Sequence, residues 1–310
     1  MEQLLFSINA TAPIFFVMVI GYILRRAKMM DEPTIKTLNK LNYKVTLPAL
    51  LFRDISQSDF SAVWDTKYVL FCFLVTLFTI CAIWILAGLL FQNKDLLGEF
   101  VQASYRSSAA VMGVAFIQNI YGNSGMAPLM IIGTVPLYNV AAVLVLSFTG
   151  PDSHGLNRQA LKKSLLGIAT NPIILSIFAG MLFSACRIDL PIMINKTIGN
   201  IASLATPLAL LALGAGFEGR KAIKLVKPTT ISALIKLVVL PAVFLPLAVL
   251  LGFRNEMLIA LLVMLGAPTT PSCYIMAKNL GHDGVLTSGT VVATTFCCSI
   301  TLTLALFILK

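Results

Sequence analysis

The stretch L-I-A-L-L-V-M-L-G-A-P-T-T-P-S-C-Y-I-M-A-K-N-L-G, from Leu258 to Gly281, has the apolar length of a membrane-spanning helix but carries prolines near its centre. Pro268 and Pro271 remove backbone donors and clash with the carbonyls that precede them, so this helix should break at mid-span. In hydrocarbon the freed backbone groups need partners, which restricts a break to a protein interior or a water-filled cavity. Broken helices at the bilayer midplane often form transporter binding sites. A packing kink is the simpler alternative, and the rest of the chain decides between the two.

Composition sets the class of protein. Of the 310 residues, 58% are hydrophobic and only 12% are charged, which is too apolar for a soluble globule. The sequence therefore predicts an all-α integral membrane protein with ten transmembrane helices. Spans of about 20 apolar residues fall at 8–25, 35–53, 67–91, 99–120, 125–149, 165–186, 193–217, 228–252, 256–279 and 286–309.

The cations show which side of the membrane each loop occupies. Loops after odd-numbered spans hold fourteen of the 23 Lys and Arg residues, and the opposite side holds six. By the positive-inside rule the odd loops are cytoplasmic, so both termini lie outside the cytoplasmic (inner) membrane. The net charge of +10 is explained by one basic face against anionic lipid. No motif for binding nucleic acid accompanies it.

An internal repeat accounts for the number of spans. Shifting the chain by 159 residues superposes five pairs of Gly or Pro, where about one pair is expected by chance. These are Pro13 and Pro172, Gly21 and Gly180, Pro48 and Pro207, Gly122 and Gly281, and Gly125 and Gly284. Five spans per repeat is an odd number, so the second copy enters the membrane inverted. We predict a 5+5 inverted repeat, with residues 1–150 as the first repeat, 151–164 as a cytoplasmic linker and 165–310 as the second repeat.

Span four is the partner of span nine in this register. Its residues from Tyr105 to Asn119 are mostly small and include Gly113, which permits close approach of two backbones. We expect spans four and nine to be broken crossover helices whose half-helix N-termini meet at one point. Those ends carry partial positive charge and favour an anion. The alternative is a plain pair of interior helices joined by small-residue packing.

The chain resembles the auxin efflux carrier family, which is related to the bile acid/sodium symporter superfamily. The residues that carry this resemblance are N-P-I-I-L-S-I-F-A-G at Asn171–Gly180, T-P-L-A-L-L-A-L-G at Thr206–Gly214, K-L-V-V-L-P at Lys236–Pro241, and Ala267, Pro268, Ala277 and Lys278. The resemblance implies a ten-helix inverted repeat with crossed, broken helices four and nine. The chain departs from the family in span four, where Ser108 and Ala115 replace the Asn and Pro of the crossover.

Charge placement indicates the chemistry of the site. All thirteen carboxylates lie in predicted loops or at span ends, whereas cation antiporters rely on acids at mid-membrane. The cations predicted inside spans are Lys44, Arg106 and Lys236. A cation there is costly unless it faces a cavity or a partner, although each side chain could instead snorkel to the membrane edge. Arg106 is the leading candidate because about 10 Å of helix rise separates it from the crossover centre.

Neutral hydrogen-bonding groups near the breaks complete the predicted substrate site. The predicted substrate-binding residues are Asn42, Lys44, Thr46, Arg106, Ser107, Ser108, Gly113, Tyr138, Asn139, Pro268, Thr269, Thr270, Pro271 and Ser272. No catalytic residue, metal site or cofactor is predicted, because catalytic and phosphate-binding motifs are absent from the sequence and its cysteines lack the spacing of metal ligands.

Three classes of function follow from these observations. The first is a secondary active transporter for a small organic anion, such as a mono- or dicarboxylate, that works by alternating access. The second is a sodium-coupled organic anion symporter of the bile-acid type, which sodium dependence of uptake would identify. The third is a membrane enzyme or receptor without transport. The coupling ion, proton or sodium, and a homodimeric state are left open.

The charge asymmetry gives a test of topology. We expect a single cysteine introduced at Arg158 to be protected from a membrane-impermeant thiol reagent in intact cells, because the loop after span five is cytoplasmic. The same cysteine should react once the membrane is opened. Labelling from outside in intact cells would contradict the inverted repeat.

Overall fold

The computed structural model of the chain describes residues 2–57, 64–91, 94–109, 117, 126–150 and 170–309. Within these ranges the regular structure is helical. The α-helices are α1 (Glu2–Arg26), α2 (Glu32–Leu41), α3 (Leu47–Ser56), α4 (Thr66–Leu90), α5 (Lys94–Tyr105), α6 (Ala127–Thr149), α7 (Pro172–Ala185), α8 (Ile192–Ser203), α9 (Ala205–Ala215), α10 (Gly219–Lys224), α11 (Val226–Leu234), α12 (Leu240–Leu250), α13 (Asn255–Gly266), α14 (Ser272–Asn279) and α15 (Val285–Leu309). The predicted linker at 151–164 lies outside the described residues.

Five helical segments of the described chain are long and apolar enough to cross a membrane. They are Thr66–Leu89, Ala127–Thr149, Ile192–Ala215, Val226–Leu250 and Val285–Leu309. This agrees with an integral membrane protein. The count of ten spans and the inversion of the repeat stay predictions.

Prolines explain why some helices are irregular. A five-residue π-helical turn, Asn42–Thr46, joins α2 to α3, and a second, Ile235–Val239, joins α11 to α12. Each turn ends just before a proline, Pro48 or Pro241, at the start of the next helix. A proline cannot donate to the preceding turn and crowds its carbonyls, so the hydrogen-bond ladder widens there.

Helix α1 packs against α9, and α3 packs against α7. Glycines bring the backbones of these pairs close together. A Cβ atom at Gly214 would lie 1.9 Å from the carbonyl oxygen of Met18, and one at Gly21 would lie 2.3 Å from that of Leu211. No other residue type fits these positions without moving a helix.

The predicted interruption of span nine is confirmed. Helix α13 ends at Gly266, residues 267–271 are not helical, and α14 begins at Ser272. The gap is too long for a packing kink. Span four also loses its helix, since α5 ends at Tyr105 and residues 106–108 are not helical. Its second half, including Gly113, lies outside the described residues.

The close helix contact at Gly214 gives a stability test. We expect Gly214→Ala to lower the stability of the protein by about 1–3 kcal/mol, because the added methyl group overlaps the backbone of Met18. Thermal unfolding in detergent, followed by size-exclusion chromatography, measures this change. Gly88→Ala is the matched control, since a Cβ at Gly88 in α4 meets nothing within 4 Å. If Gly214→Ala and Gly88→Ala unfold at the same temperature, the close contact between α1 and α9 is contradicted.

Candidate functional site

A cavity of about 60 Å³ lies where the non-helical segment after α5 meets the start of α14. By the measure in which one water needs about 10–15 Å³, it holds a few water molecules or one short solute. Eight of the fourteen predicted site residues line it, namely Arg106, Ser107, Ser108, Tyr138, Asn139, Thr270, Pro271 and Ser272. Apolar side chains of α3 and α9 form the opposite wall.

Arg106 is the cation of this cavity among the residues that the structure describes. Its side chain is only 3% exposed, so it does not snorkel to the membrane edge. Its Nη2 donates to Asn139 Oδ1 at 2.8 Å and to Ser272 Oγ at 3.0 Å, and these two bonds fix the guanidinium plane. Its Nη1 lies 2.7 Å from Met276 Sδ, which is a weak acceptor, and its Nε has no partner in the described chain. The guanidinium group is therefore held in place with part of its donor capacity unused.

The two non-helical segments, residues 106–108 and 267–271, lie side by side. The amide of Ser108 donates to Pro268 O at 2.9 Å, and Thr269 Oγ1 donates to Ala103 O at 2.8 Å near the end of α5. Gln102 Nε2 donates to Cys273 O at 3.0 Å. Backbone groups of each broken helix thus find partners on the other, which is the condition for such a break inside a membrane.

Lys236 stabilises the end of α13 instead of facing the membrane edge. It is fully buried in the second π-helical turn, and its Nζ donates to Met264 O at 3.3 Å and to Leu265 O. The last carbonyls of a helix have no partners within the helix, and they carry partial negative charge that favours a cation. The snorkelling alternative is therefore wrong for Lys236, because the backbone break beside it offers carbonyl acceptors.

Five predicted site residues do not line the cavity. Asn42 donates to Ala205 O at 2.9 Å, and Thr46 Oγ1 donates to Asn42 Oδ1 at 2.8 Å, so both join the π-helical turn to α9. Lys44 points outward and is exposed. Pro268 and Thr269 are used in pairing the two breaks. Gly113, the remaining predicted residue, lies outside the described chain.

Two acidic residues lie deeper than the sequence suggested. Asp54 lines the cavity, seven residues after Leu47 on the same face of α3. This helical spacing was the available signal, since Leu47 and Leu51 share that face with it. Glu99 is 1% exposed and accepts hydrogen bonds from Gly284 N at 2.7 Å and Thr287 N at 2.9 Å, close to the start of α15. Asp54 does lie at a span end, two residues before the end of α3, but the sequence did not predict that it lines the cavity.

The described residues do not form a metal site. Among the residues that the structure describes, no three His, Cys, Asp or Glu side chains are grouped so as to hold a metal ion. The polar groups that the cavity offers are the guanidinium group of Arg106, serine and threonine hydroxyl groups, the start of α14 and the carboxylate of Asp54.

Comparison with known proteins identifies the family. The sequence pattern of the membrane transport protein family matches residues 6–306, almost the whole chain. The chain belongs to this family, of the auxin efflux carrier type. The resemblance drawn from the motifs is thus confirmed, and so is the expectation that the protein is a transporter and not an enzyme.

Two relatives of this membrane transport protein cover similar lengths. One, from Rhizobium meliloti (strain 1021), bears the name "Putative malonate transporter" and is 24% identical over 319 residues, covering 96% of this chain and 94% of the relative. An "Uncharacterized transporter" of Methanothermobacter thermautotrophicus is 21% identical over 295 residues, covering 93% of this chain and 94% of the relative.

Proposed function

We propose that this protein is a secondary active transporter that carries a small organic anion, a short dicarboxylate such as malonate, across the cytoplasmic membrane. The observation that carries the proposal is Arg106, a buried guanidinium group with an unused donor that lines the cavity between the two helix breaks. A buried cation is costly, and an anionic ligand offsets that cost when the site is occupied.

The groups around Arg106 suit a carboxylate. The hydroxyl groups of Ser108, Thr270 and Ser272 line the same cavity and can donate to its oxygens. Ser272 is also the first residue of α14, and the start of a helix carries partial positive charge. The guanidinium group, the hydroxyl groups and the start of α14 together provide positive charge and hydrogen-bond donors with fixed directions.

The dicarboxylate assignment rests on two further observations. The size of the cavity suits a short acid and excludes a bulky one in the conformation described here. The relative from Rhizobium meliloti is named for malonate, a three-carbon dicarboxylate. Both favour short dicarboxylates over aromatic or steroidal acids.

Several observations support a 5+5 inverted repeat as the basis of transport. Helices α4 and α6, shifted by 159 residues, would cover 225–249 and 286–308, and the structure has helical segments at 226–250 and 285–309. The contact of Gly21 with Leu211 O, shifted in the same way, becomes that of Gly180 with Phe52, and a Cβ at Gly180 would lie 3.1 Å from Phe52 O. Two equivalent halves that share one central site are the usual basis of alternating access.

The sodium-coupled alternative is less well supported. In that reading, carbonyls freed at the break would hold the cation. Here Lys236 already places an ammonium group on the carbonyls of Met264 and Leu265, at the end of α13. The ammonium group of Lys236 at this position supports a transporter that does not depend on sodium.

Substitution of Arg106 tests the anion site. We expect Arg106→Gln to weaken malonate binding about tenfold to a hundredfold, because a charge-assisted hydrogen bond contributes about 1.5–3 kcal/mol. Counterflow of labelled malonate in proteoliposomes, against a panel of other carboxylates, measures the loss. Lys44→Gln removes an exposed cation outside the cavity and should behave like the parent protein. Equal transport by Arg106→Gln and the parent would mean that Arg106 is a packing residue.

Replacement of sodium tests the coupling ion. We expect uptake of malonate to be unchanged when potassium replaces sodium on both sides of the proteoliposome membrane, because the Lys236 ammonium group occupies the carbonyls at the break. Lys236→Met should lower stability by about 1–3 kcal/mol, since it leaves those carbonyls without a partner. Lys224→Met, at an exposed position in α10, is its control. A saturable stimulation of the parent protein by sodium would favour the bile-acid type of symporter.

A further inference from the structure

Thr206 lines the cavity on the wall opposite Arg106, and it was not among the predicted site residues. It is the second residue of α9 and is half-buried. Its neighbours on this wall, Ala205 and Ala209 of α9 and Leu47 of α3, are apolar. The hydroxyl group of Thr206 is therefore a polar group on a mainly apolar surface of the cavity.

This hydroxyl group is not used within its own helix. Several helical threonines of the described chain donate to the carbonyl four residues earlier, as Thr134 and Thr149 do at 2.7 Å. The corresponding residue for Thr206 is Ala202, which belongs to α8 and lies beyond the turn at Leu204. The Thr206 hydroxyl group makes no hydrogen bond to another residue that the structure describes, so it can donate to a solute in the cavity.

The donors beside Arg106 serve only one end of a short dicarboxylate. Ser108 follows Arg106 on the same non-helical segment, and Thr270 and Ser272 belong to the break before α14. The second carboxylate lies away from these groups, and burying it without a donor is costly. Helix α9 packs against α14, and the cavity of about 60 Å³ between their walls is small enough for one short molecule to contact both.

Asp54 lies at a different depth of the same cavity. The carbonyl of Ala205 accepts a hydrogen bond from Asn42 Nδ2 at 2.9 Å, so the start of α9 is level with the first π-helical turn. Asp54 comes twelve residues after Asn42, which is about three helical turns. The adjacent Arg53 also interacts with Asp54 electrostatically and reduces the effect of its charge. A carboxylate at Thr206 is therefore kept apart from the acid of the cavity.

We propose that Thr206 binds the second carboxylate of a short dicarboxylate whose first carboxylate is bound at Arg106, and that it thereby sets the preference of the site for dicarboxylates over monocarboxylates. This inference rests on the proposed function, because it requires an organic anion in the cavity. In the proposed repeat, a shift of 159 residues places Leu47 at the position of Thr206, and both line the cavity. The second half thus contributes a hydroxyl group where the first half contributes an apolar wall.

The experiment compares two acids of three carbons, the dicarboxylate malonate and the monocarboxylate propionate, by calorimetry on the purified protein. Thr206→Val keeps the branched shape of the side chain and removes the hydroxyl group. We expect this variant to bind malonate about tenfold to a hundredfold more weakly, the effect of losing a hydrogen bond to a charged group. Its affinity for propionate should stay at the wild-type value, because propionate has no second carboxylate. The ratio of the two affinities is therefore the readout.

Three further variants separate this role from packing. Thr206→Ser keeps the hydroxyl group and should restore the preference for malonate. Arg106→Gln should weaken both acids, since each has a carboxylate at Arg106. Thr197→Val is the matched control, because Thr197 is exposed in α8 and its hydroxyl group donates to Met193 O at 2.9 Å. It should leave both affinities unchanged.

The outcomes distinguish this inference from the proposed function. A wild-type protein that binds propionate as tightly as malonate overturns the role of Thr206, and this result needs no variant to fold. So does a Thr206→Val variant that binds malonate as the wild type does, or that loses both acids by the same factor while Thr206→Ser does not recover the ratio. A wild-type protein that binds neither acid and shows no counterflow of any carboxylate overturns the proposed function, and this inference with it.

Discussion

Backbone groups released where a helix breaks inside a membrane must find partners within the protein, and this requirement organises the centre of the molecule. The carbonyls at the end of α13 are bonded by Lys236, and Ala103 O near the end of α5 is bonded by Thr269. The amide of Ser108 is bonded to Pro268 O. Each bond joins segments that are distant in the chain, so the breaks are stable only when the surrounding helices are assembled.

Two buried cations of the described chain, Lys236 and Arg106, lie beside these breaks and have different roles. Lys236 is fully buried and donates to backbone carbonyls, so its charge is used in the structure. Arg106 is held by Asn139 and Ser272 but keeps donors that have no good acceptor. A buried donor without an acceptor costs free energy, and in the proposed function a bound carboxylate removes that cost. Lys236 is thus a structural charge, and Arg106 is the binding charge of the proposed function.

The ionisable side chains that line the cavity in the described chain come from its first half. A shift of 159 residues places Leu213 at the position of Asp54 and Leu265 at that of Arg106. Both are buried apolar residues. In the proposed repeat, the helix packing is shared by the two halves, while the charged side chains that line the cavity, Asp54 and Arg106, come from the first half.

Much of this protein follows from the sequence by itself. The apolar composition requires a membrane, and Pro268 and Pro271 require a break because proline cannot continue the hydrogen-bond ladder. The motifs around Asn171, Thr206 and Lys236 gave the family. These features are local, in that each depends on the chemistry of neighbouring residues along the chain.

Tertiary structure decided which polar residues share the site. Asn42 and Thr46 were expected to face a substrate, but they bond to each other and to the backbone of α9. Asp54 lies at a span end as expected, but the sequence did not show that it also lines the cavity. Hydrophobic periodicity tells which face of a helix is buried, but not which helix lies opposite it, and a hydrogen bond between residues distant in the chain has no local signal. The sequence therefore determines that the chain enters the membrane and where its helices break, while the packing of helices from both halves determines which polar side chains line the cavity.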